Sequence, residues 1–330
     1  MKLRFSVLVL VLIFLNGLLF LLQLFTGNVA ISPAVLLSPQ SDDTASIILW
    51  QSRFPAAVTA LVAGSALAVS GLQMQTLFRN PVAGPYVLGI SSGAQLGVAV
   101  FVLLNAVFAV SWINDLSITV AAATGAFALF SIVLVMVSRH KGTATLLVIG
   151  LLLTGMCGAI VEIIESHLTD SGLRRFLFWS FGNLQGVTLQ KLPILISVVA
   201  VALLASAWFI KPLNVMALGD DYAASSGVDV IRTRKWVTWC TCLLAGTVTA
   251  FCGPIAFLGL AVPHAARIFT GSSDHYKLMP VTLLFGALIC GFCNLLSHIP
   301  VFGILIPLNA ITSLIGAPFV IWLLLKMKTH

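Results

Sequence analysis

Charge is what this chain of 330 residues has least of. Asp, Glu, Lys and Arg together make up 8% of it, against about 25% in typical soluble domains. So little polar surface excludes a globular domain dissolved in water. No G-x-x-x-x-G-K-[ST] loop is present, so the chain does not cradle ATP in the Walker manner. There is no H-E-x-x-H pair, no arginine-rich voltage-sensing helix and no Gly-Tyr-Gly filter. Gly89-Ile-Ser-Ser-Gly93 matches G-x-S-x-G, yet a nucleophile elbow needs a preceding strand and a triad, and this setting is apolar helix. The segment is read as small-residue packing, and the chain as no enzyme. Acidic residues number 10, and charge inside the apolar runs is sparse for a proton-coupled carrier. The six cysteines lie in or beside apolar runs. Cys290 and Cys293 form a C-x-x-C followed closely by His298 alone, which is too few ligands for a metal centre.

Apolar residues fill the space that charge leaves, at 59% of the chain. A run of about 20 apolar residues crosses a bilayer. Runs near that length lie at 5–25, 56–74, 93–110, 117–137, 144–164, 192–210, 236–251, 255–268, 280–296 and 308–325. The fold class is an all-α polytopic membrane protein of about ten transmembrane helices, one transmembrane domain over 1–330. The first run is longer than a signal-peptide core and no small-residue cleavage site follows it, so it is read as the first span.

Basic residues orient the chain. With both termini in the cytoplasm, all but four of the 17 Lys and Arg fall on the cytoplasmic side. The four are Arg53, Arg174, Arg175 and Lys191. The net charge of +7 therefore reflects topology and contact with anionic membrane lipid, and gives no reason to invoke nucleic acid.

One cytoplasmic loop, about 213–230, stands out. Asp220 and Asp221 follow Gly219, Tyr222 to Ser226 is free of Gly and Pro, and Gly227 stops it. That pattern predicts a brief helix with carboxylates at its positive end. Either it is a solvated turn or it is built for a partner. The stretch Leu77 to Gly97, with Asn80, Pro81 and Gly93, is too rich in Gly and Pro for a regular span. It is either a re-entrant wall of a pathway or a cytoplasmic loop. In the fifth run Gly155 and Gly158 precede Glu162 and Glu165, which mark either a wet face or the arrival at the interface. Pro263, His264 and Arg267 lie in another broken stretch, and His264 and Arg267 share a helical face. Arg53, at the outer mouth of the second run, either snorkels or meets an acidic partner.

Leu77-Phe-Arg-Asn-Pro-Val-Ala-Gly-Pro, Leu88-Gly-Ile-Ser-Ser-Gly-Ala, Leu218-Gly-Asp-Asp-Tyr-Ala-Ala-Ser-Ser-Gly-Val, the stretch Gly253 to Arg267 and Ile315-Gly-Ala-Pro-Phe, in this order, resemble the permeases of iron–siderophore, haem and cobalamin ABC importers, the FecCD family. The resemblance covers nearly the whole chain. It implies ten helices per subunit in the bacterial cytoplasmic membrane, and a pathway formed with a second copy of the chain. It also implies two ABC ATPase subunits that carry the ATP and Mg, and an extracytoplasmic substrate-binding protein. On this template Leu218, Gly219, Asp220, Asp221, Ala223, Ala224 and Gly227 form the coupling helix that meets the ATPase. Thr143 and Ala144 stand at the cytoplasmic gate. Arg53 docks the binding protein, and His298 occupies the place of another docking arginine. Asn80, Pro81, Gly93, Gly155, Gly158, Pro263, His264 and Arg267 shape the pathway and its supports. Three departures stand out: Ala56 where a second arginine is usual, His298 itself, and Leu305-Ile-Pro-Leu-Asn309 in place of Glu-Leu-Pro-x-Gly. These departures predict docking that is weaker, of a different geometry, or pH-dependent through His298. The expected function is transport of a metal chelate, haem or corrinoid, driven by the ATPases. The alternative is an ion-coupled carrier that works without them.

Overall fold

The computed structural model describes residues 5–27, 31–32, 35, 43–108, 115–139, 143–299 and 306–327, and the described residues contain helix and connecting turns with no strand. The helices are α1 (Phe5–Phe25), α2 (Thr44–Ile47), α3 (Phe54–Leu77), α4 (Ile90–Phe108), α5 (Asp115–Arg139), α6 (Thr143–Glu165) and α7 (Asp170–Ser180). They continue with α8 (Leu192–Trp208), α9 (Ile210–Met216), α10 (Asp220–Ser225), α11 (Val230–Cys252), α12 (Leu258–Thr270), α13 (His275–Ser297) and α14 (Leu308–Met327). Each of the apolar runs overlaps one of these helices, and the 192–210 run crosses the break at Phe209 into α9. By length and composition six can cross a membrane, and the bent pair α8–α9 adds a seventh. This is an all-helical, multi-pass membrane protein. Its surface is apolar where lipid is the solvent: Leu10 and Phe14 of α1 are 65% and 70% exposed.

The interruptions have local causes. A π-helical turn, Ile48–Arg53, joins α2 to α3. Pro55 follows directly, and the looser turn accommodates a ring that cannot donate to residue 51. The 54° bend between α8 and α9 lies at Phe209, where Pro212 withholds the donor that Trp208 O would need. Inside α12, Pro263 likewise leaves Gly259 O without its helical donor. That carbonyl instead sits on the backbone of α3: a Cβ on Gly71 would stand 1.7 Å from it.

α3 is the axis of the bundle, with almost every residue from Pro55 to Leu77 buried. Small residues make this possible, because TM helices pack as closely as their side chains allow. A Cβ on Gly64 would come within 2.2 Å of Gly286 O on α13. Cys290, buried in the same seam, and Cys293 nearby on α13 serve as small packing residues. A second seam joins α4 to α5 through Gly93, Gly97 and Gly125. So the G-x-S-x-G match is a packing segment, with Gly89 at φ +74 ending a 3-10 turn.

That turn, Pro85–Leu88, lies within the bundle. Leu88 is fully buried and Pro85 rests on Gly259, which also neighbours Leu67 O. Leu67 is ten residues, or roughly 15 Å, from the C-terminal end of α3. The stretch is therefore packed inside the bundle before it enters α4.

Candidate functional site

The end of the bundle that carries α10 gathers most of the residues singled out by the sequence. α10 is closed at its C-terminus by paired hydrogen bonds, Gly227 N to Ala224 O and Val228 N to Ala223 O, both 3.0 Å. Gly227 stands at φ +84 between them, the left-handed position that favours glycine. Gly219, at φ +133, makes the entry turn. Asp229 then starts α11 by accepting from Arg232 N at 2.9 Å. The expected short helix is present, with Asp220 and Asp221 in its first turn.

Its two carboxylates have different tasks. Asp220 accepts from Arg234 Nη2 at 2.7 Å, and the Arg234 side chain is only 4% exposed. Arg79 approaches the same oxygen at 3.8 Å. Arg79 itself is the left-handed residue after α3, at φ +46, where Arg79 N donates to Thr76 O at 3.2 Å and Asn80 N to Gln75 O at 3.1 Å. Glycine is the usual occupant of such a position, and the arginine brings its charge to α10 in exchange for some backbone strain. Asp221 points to solvent. Ala223 is fully buried beneath the helix, while Leu218 and Tyr222 are 70% and 56% exposed. α10 is thus pinned at one end by a buried ion pair and carries apolar and acidic groups outward.

Beside it, a lattice of hydrogen bonds ties α3, α9, α12 and α13. Arg267 Nη1 donates to Gln75 Oε1 at 2.5 Å, and Gln75 Nε2 donates to Leu260 O at 3.0 Å. His264 Nε2 donates to Pro81 O at 2.6 Å. Asn80 holds that turn by accepting from Val82 N at 3.0 Å. His275 meets Thr76 Oγ1 through Nε2 at 2.8 Å and Asn214 Oδ1 through Nδ1 at 2.6 Å. Asn214 Nδ2 also donates to Asp274 at 2.7 Å. The Tyr276 backbone N–H and the Asn214 amide hold the Asp274 carboxyl below the usual carboxylate range. So Asn80, Pro81, His264 and Arg267 lie in one network, in which His264 and Arg267 both reach toward the end of α3 and the turn after it. Arg79, Arg234, Gln75, Thr76, Asn214 and His275 belong to the same arrangement and were missed. Only the buried polar character of an amide or a charge inside an apolar helix could have marked them, and sequence does not show burial.

The other candidates lie elsewhere. Thr143 and Ala144, expected at the gate, open α6, but their side chains lie outside the described residues. Gly155 and Gly158 lie on α6 with open space beyond them, nothing within 4 Å of a Cβ on either. Glu162 is exposed in the last turn of α6. At the outer end Arg53 is 9% exposed and turned inward, its Nη1 donating to Leu24 O at 3.0 Å. Ala56 is buried at 1% exposure. His298 Nδ1 donates to Asn294 O at 2.6 Å, which leaves Nε2 to accept from Gln185. Leu305 lies outside the described residues, and Asn309 Oδ1 accepts from Ala256 N at 3.0 Å across the 253–257 break.

Known proteins resemble this chain in sequence and fold. The FecCD transport family matches residues 11–326. The vitamin B12 import system permease protein BtuC of Klebsiella pneumoniae is 33% identical over 93% of this chain and 90% of its own length. The protein of the same name from Citrobacter koseri is 32% identical over 93% and 90%. A chain from a structure described as an inward-facing metal-chelate type ABC transporter superposes with a TM-score of 0.85 at 25% identity, covering 96% of this chain and 98% of that one. PsaBC from Streptococcus pneumoniae, at TM-score 0.52 and 16% identity, shares the fold. With matched family sequence over nearly its whole length and the same helical architecture, this chain belongs to the FecCD transport family and is a multi-pass permease of the ABC-importer kind.

Proposed function

We propose that this chain is the single-domain transmembrane subunit of an importer in the bacterial cytoplasmic membrane, moving a bulky metal chelate or corrinoid. It works as a pair of copies, with two separate ATPase subunits inside and a binding protein outside, and with both termini inside. The observation that carries the reading is α10. A six-residue helix anchored by a buried arginine, with Leu218 and Tyr222 turned outward, is built to receive force at a docked surface. An exposed apolar patch at the wet end of a membrane protein marks a contact with another protein. Leu218, Asp221 and Ala224 face that partner, while Gly219, Asp220, Ala223 and Gly227 hold the helix in place. Force on α10 passes through Asp220 to α11 and through Arg79 to α3. Names of the relatives support the cargo: vitamin B12 for BtuC and a metal chelate for the structural neighbour.

The face of α6 that carries Gly155 and Gly158 lines the pathway toward the second copy, gated near Thr143 and Ala144. The binding protein meets the outer end around His298, and Arg53 joins it only by releasing Leu24.

The test is coupling. Asp221→Ala and Gly227→Leu are expected to leave the spans folded and ATP hydrolysis running, while uptake of labelled cobalamin or a ferric chelate falls about tenfold or more, as when a few kcal/mol of coupling are lost. Wild-type coupling in both variants counts against the role of α10. Uptake driven by a proton or sodium gradient, with no ATPase co-purifying, overturns the importer reading as a whole.

A further inference from the structure

At the end of the bundle opposite α10, a cavity of about 360 Å³ opens between α5, α7, the turn before α8 and the end of α11. Arg175 and Lys191 line it together with Phe178 and Trp179. Directly beneath, and sharing Phe251, a second cavity of about 310 Å³ continues between α5, α8 and α11. Its walls are apolar: Ala126 and Phe127 of α5, Val198 of α8, Leu243 and Gly246 of α11.

The two helices that flank the pair of cavities measure its depth. From Ile118 to Phe130 on α5, and from Phe251 to Trp239 on α11, the walls run twelve residues each, or roughly 18 Å at 1.5 Å per residue. The floor is closed where Phe130 and Trp239 meet edge to face, with centroids 5.3 Å apart. One leaflet of hydrocarbon is about 15 Å deep. A free anion would account for the cationic mouth but not for an apolar slot of this length. A protein side chain from a neighbour would account for neither the depth nor the pair of cations.

We propose that this is a binding site for one anionic phospholipid. Its phosphate head lies between Arg175 and Lys191, and one acyl chain descends the slot to the Phe130–Trp239 floor. Phe178 and Trp179 border the head, at the level where aromatic rings sit in membrane interfaces. Gly246 keeps the slot open: a Cβ there would meet only Ile90 and Ala126, at 3.5 and 3.9 Å, so any longer side chain extends into the space the lipid uses. Which leaflet supplies the lipid rests on the orientation proposed above, but occupancy of the site does not.

The test is native mass spectrometry of the purified chain in mild detergent, offered phosphatidylglycerol and phosphatidylcholine with identical acyl chains in equal amounts. Wild type is expected to hold one phosphatidylglycerol per chain. Arg175→Gln with Lys191→Gln should lower the preference for phosphatidylglycerol about twenty-five-fold, each cation near an anionic lipid contributing about fivefold. Gly246→Leu should expel both lipids, whereas Gly246→Ala, whose Cβ makes ordinary contacts, should keep phosphatidylglycerol and so separates a filled slot from a misfolded chain. Equal retention of the two lipids by wild type overturns the proposal, as does a wild-type chain that holds neither. Unchanged preference in the double variant, or displacement of phosphatidylglycerol by millimolar inorganic phosphate, overturns it too. Failure of the importer reading shows separately, in ATP-coupled uptake, and does not alter the lipid count.

Discussion

α3 and α6 carry the same signature in sequence, an apolar helix of membrane length interrupted by glycine, and the structure uses them in opposite ways. In α3, Gly64 and Gly71 are pressed against the backbone of α13 and α12, with room for no further atom. In α6, Gly155 and Gly158 look into open space, and Leu151 and Leu152 nearby are 67% and 66% exposed. One set of glycines serves contacts inside the chain. The other leaves a smooth face for something outside it. A small residue therefore reports that a surface must come close or stay clear, and only the surroundings tell which.

The comparison breaks most visibly at Gly71. Gly71→Leu would drive a side chain into Gly259 O, at the upper end of overpacking costs, about 3 kcal/mol or more. The chain should fail to accumulate in membranes, measured by quantitative immunoblot against wild type. If it accumulates normally, α3 and α12 are not packed as closely as described.

Next in size is Asp220→Asn, which leaves the buried Arg234 without its carboxylate. Losing one member of a buried pair costs about 3–5 kcal/mol, and the partial exposure of Asp220, 28%, places the effect at the low end. Thermal unfolding in detergent should show it, and Arg234→Met in the same chain should recover most of the loss. A double variant no more stable than Asp220→Asn alone would remove the pair from the account of how α10 is held.

A smaller effect is expected at the α9–α13 junction. Asn214→Ala removes partners of both His275 and Asp274, and an orphaned buried group costs about 1–3 kcal/mol. The same junction carries a pH signature. Asp274 titrates lower folded than unfolded, so its contribution is full above the unfolded value of about 3.9 and disappears as pH falls through the folded pKa. Melting temperatures of wild type and Asp274→Asn should therefore converge only below about pH 4, and parallel curves from pH 3 to 6 would contradict it.

The smallest effect on stability, and the sharpest on the comparison, is at Gly155. A Cβ at Gly155 meets nothing within 4 Å, so Gly155→Trp should shift unfolding by no more than about 0.5 kcal/mol. On the reading proposed for α6, pairing of two copies or uptake should nonetheless be lost, as read by size-exclusion chromatography with light scattering and by transport. A variant that pairs and transports normally would leave the open face of α6 without a purpose.

Much of the bundle was legible in advance. Apolar runs of membrane length locate the long helices, because a backbone in hydrocarbon must satisfy its own hydrogen bonds. α10 could be placed to within a residue from Gly219, the two aspartates and Gly227, since left-handed turns and helix starts are written in local chemistry. The pairing of Asp220 with Arg234 and Arg79 was not legible. Neither was the path Gln75 to Arg267, which spans 192 positions. Arg53 read as an outward group and is buried against Leu24.

The division follows from range. By itself the sequence determined what depends on neighbours within a few residues: that the chain lives in lipid, where it turns, and which short helix interrupts the loop between α9 and α11. Its motif order was also enough to name the family. Tertiary structure alone decided which glycines are pressed and which are bare. It alone brought Arg79 and Arg234 to one carboxylate, and laid a cationic cavity over an apolar slot. Those depend on which helices end side by side, and that is settled by the packing of the whole bundle around α3.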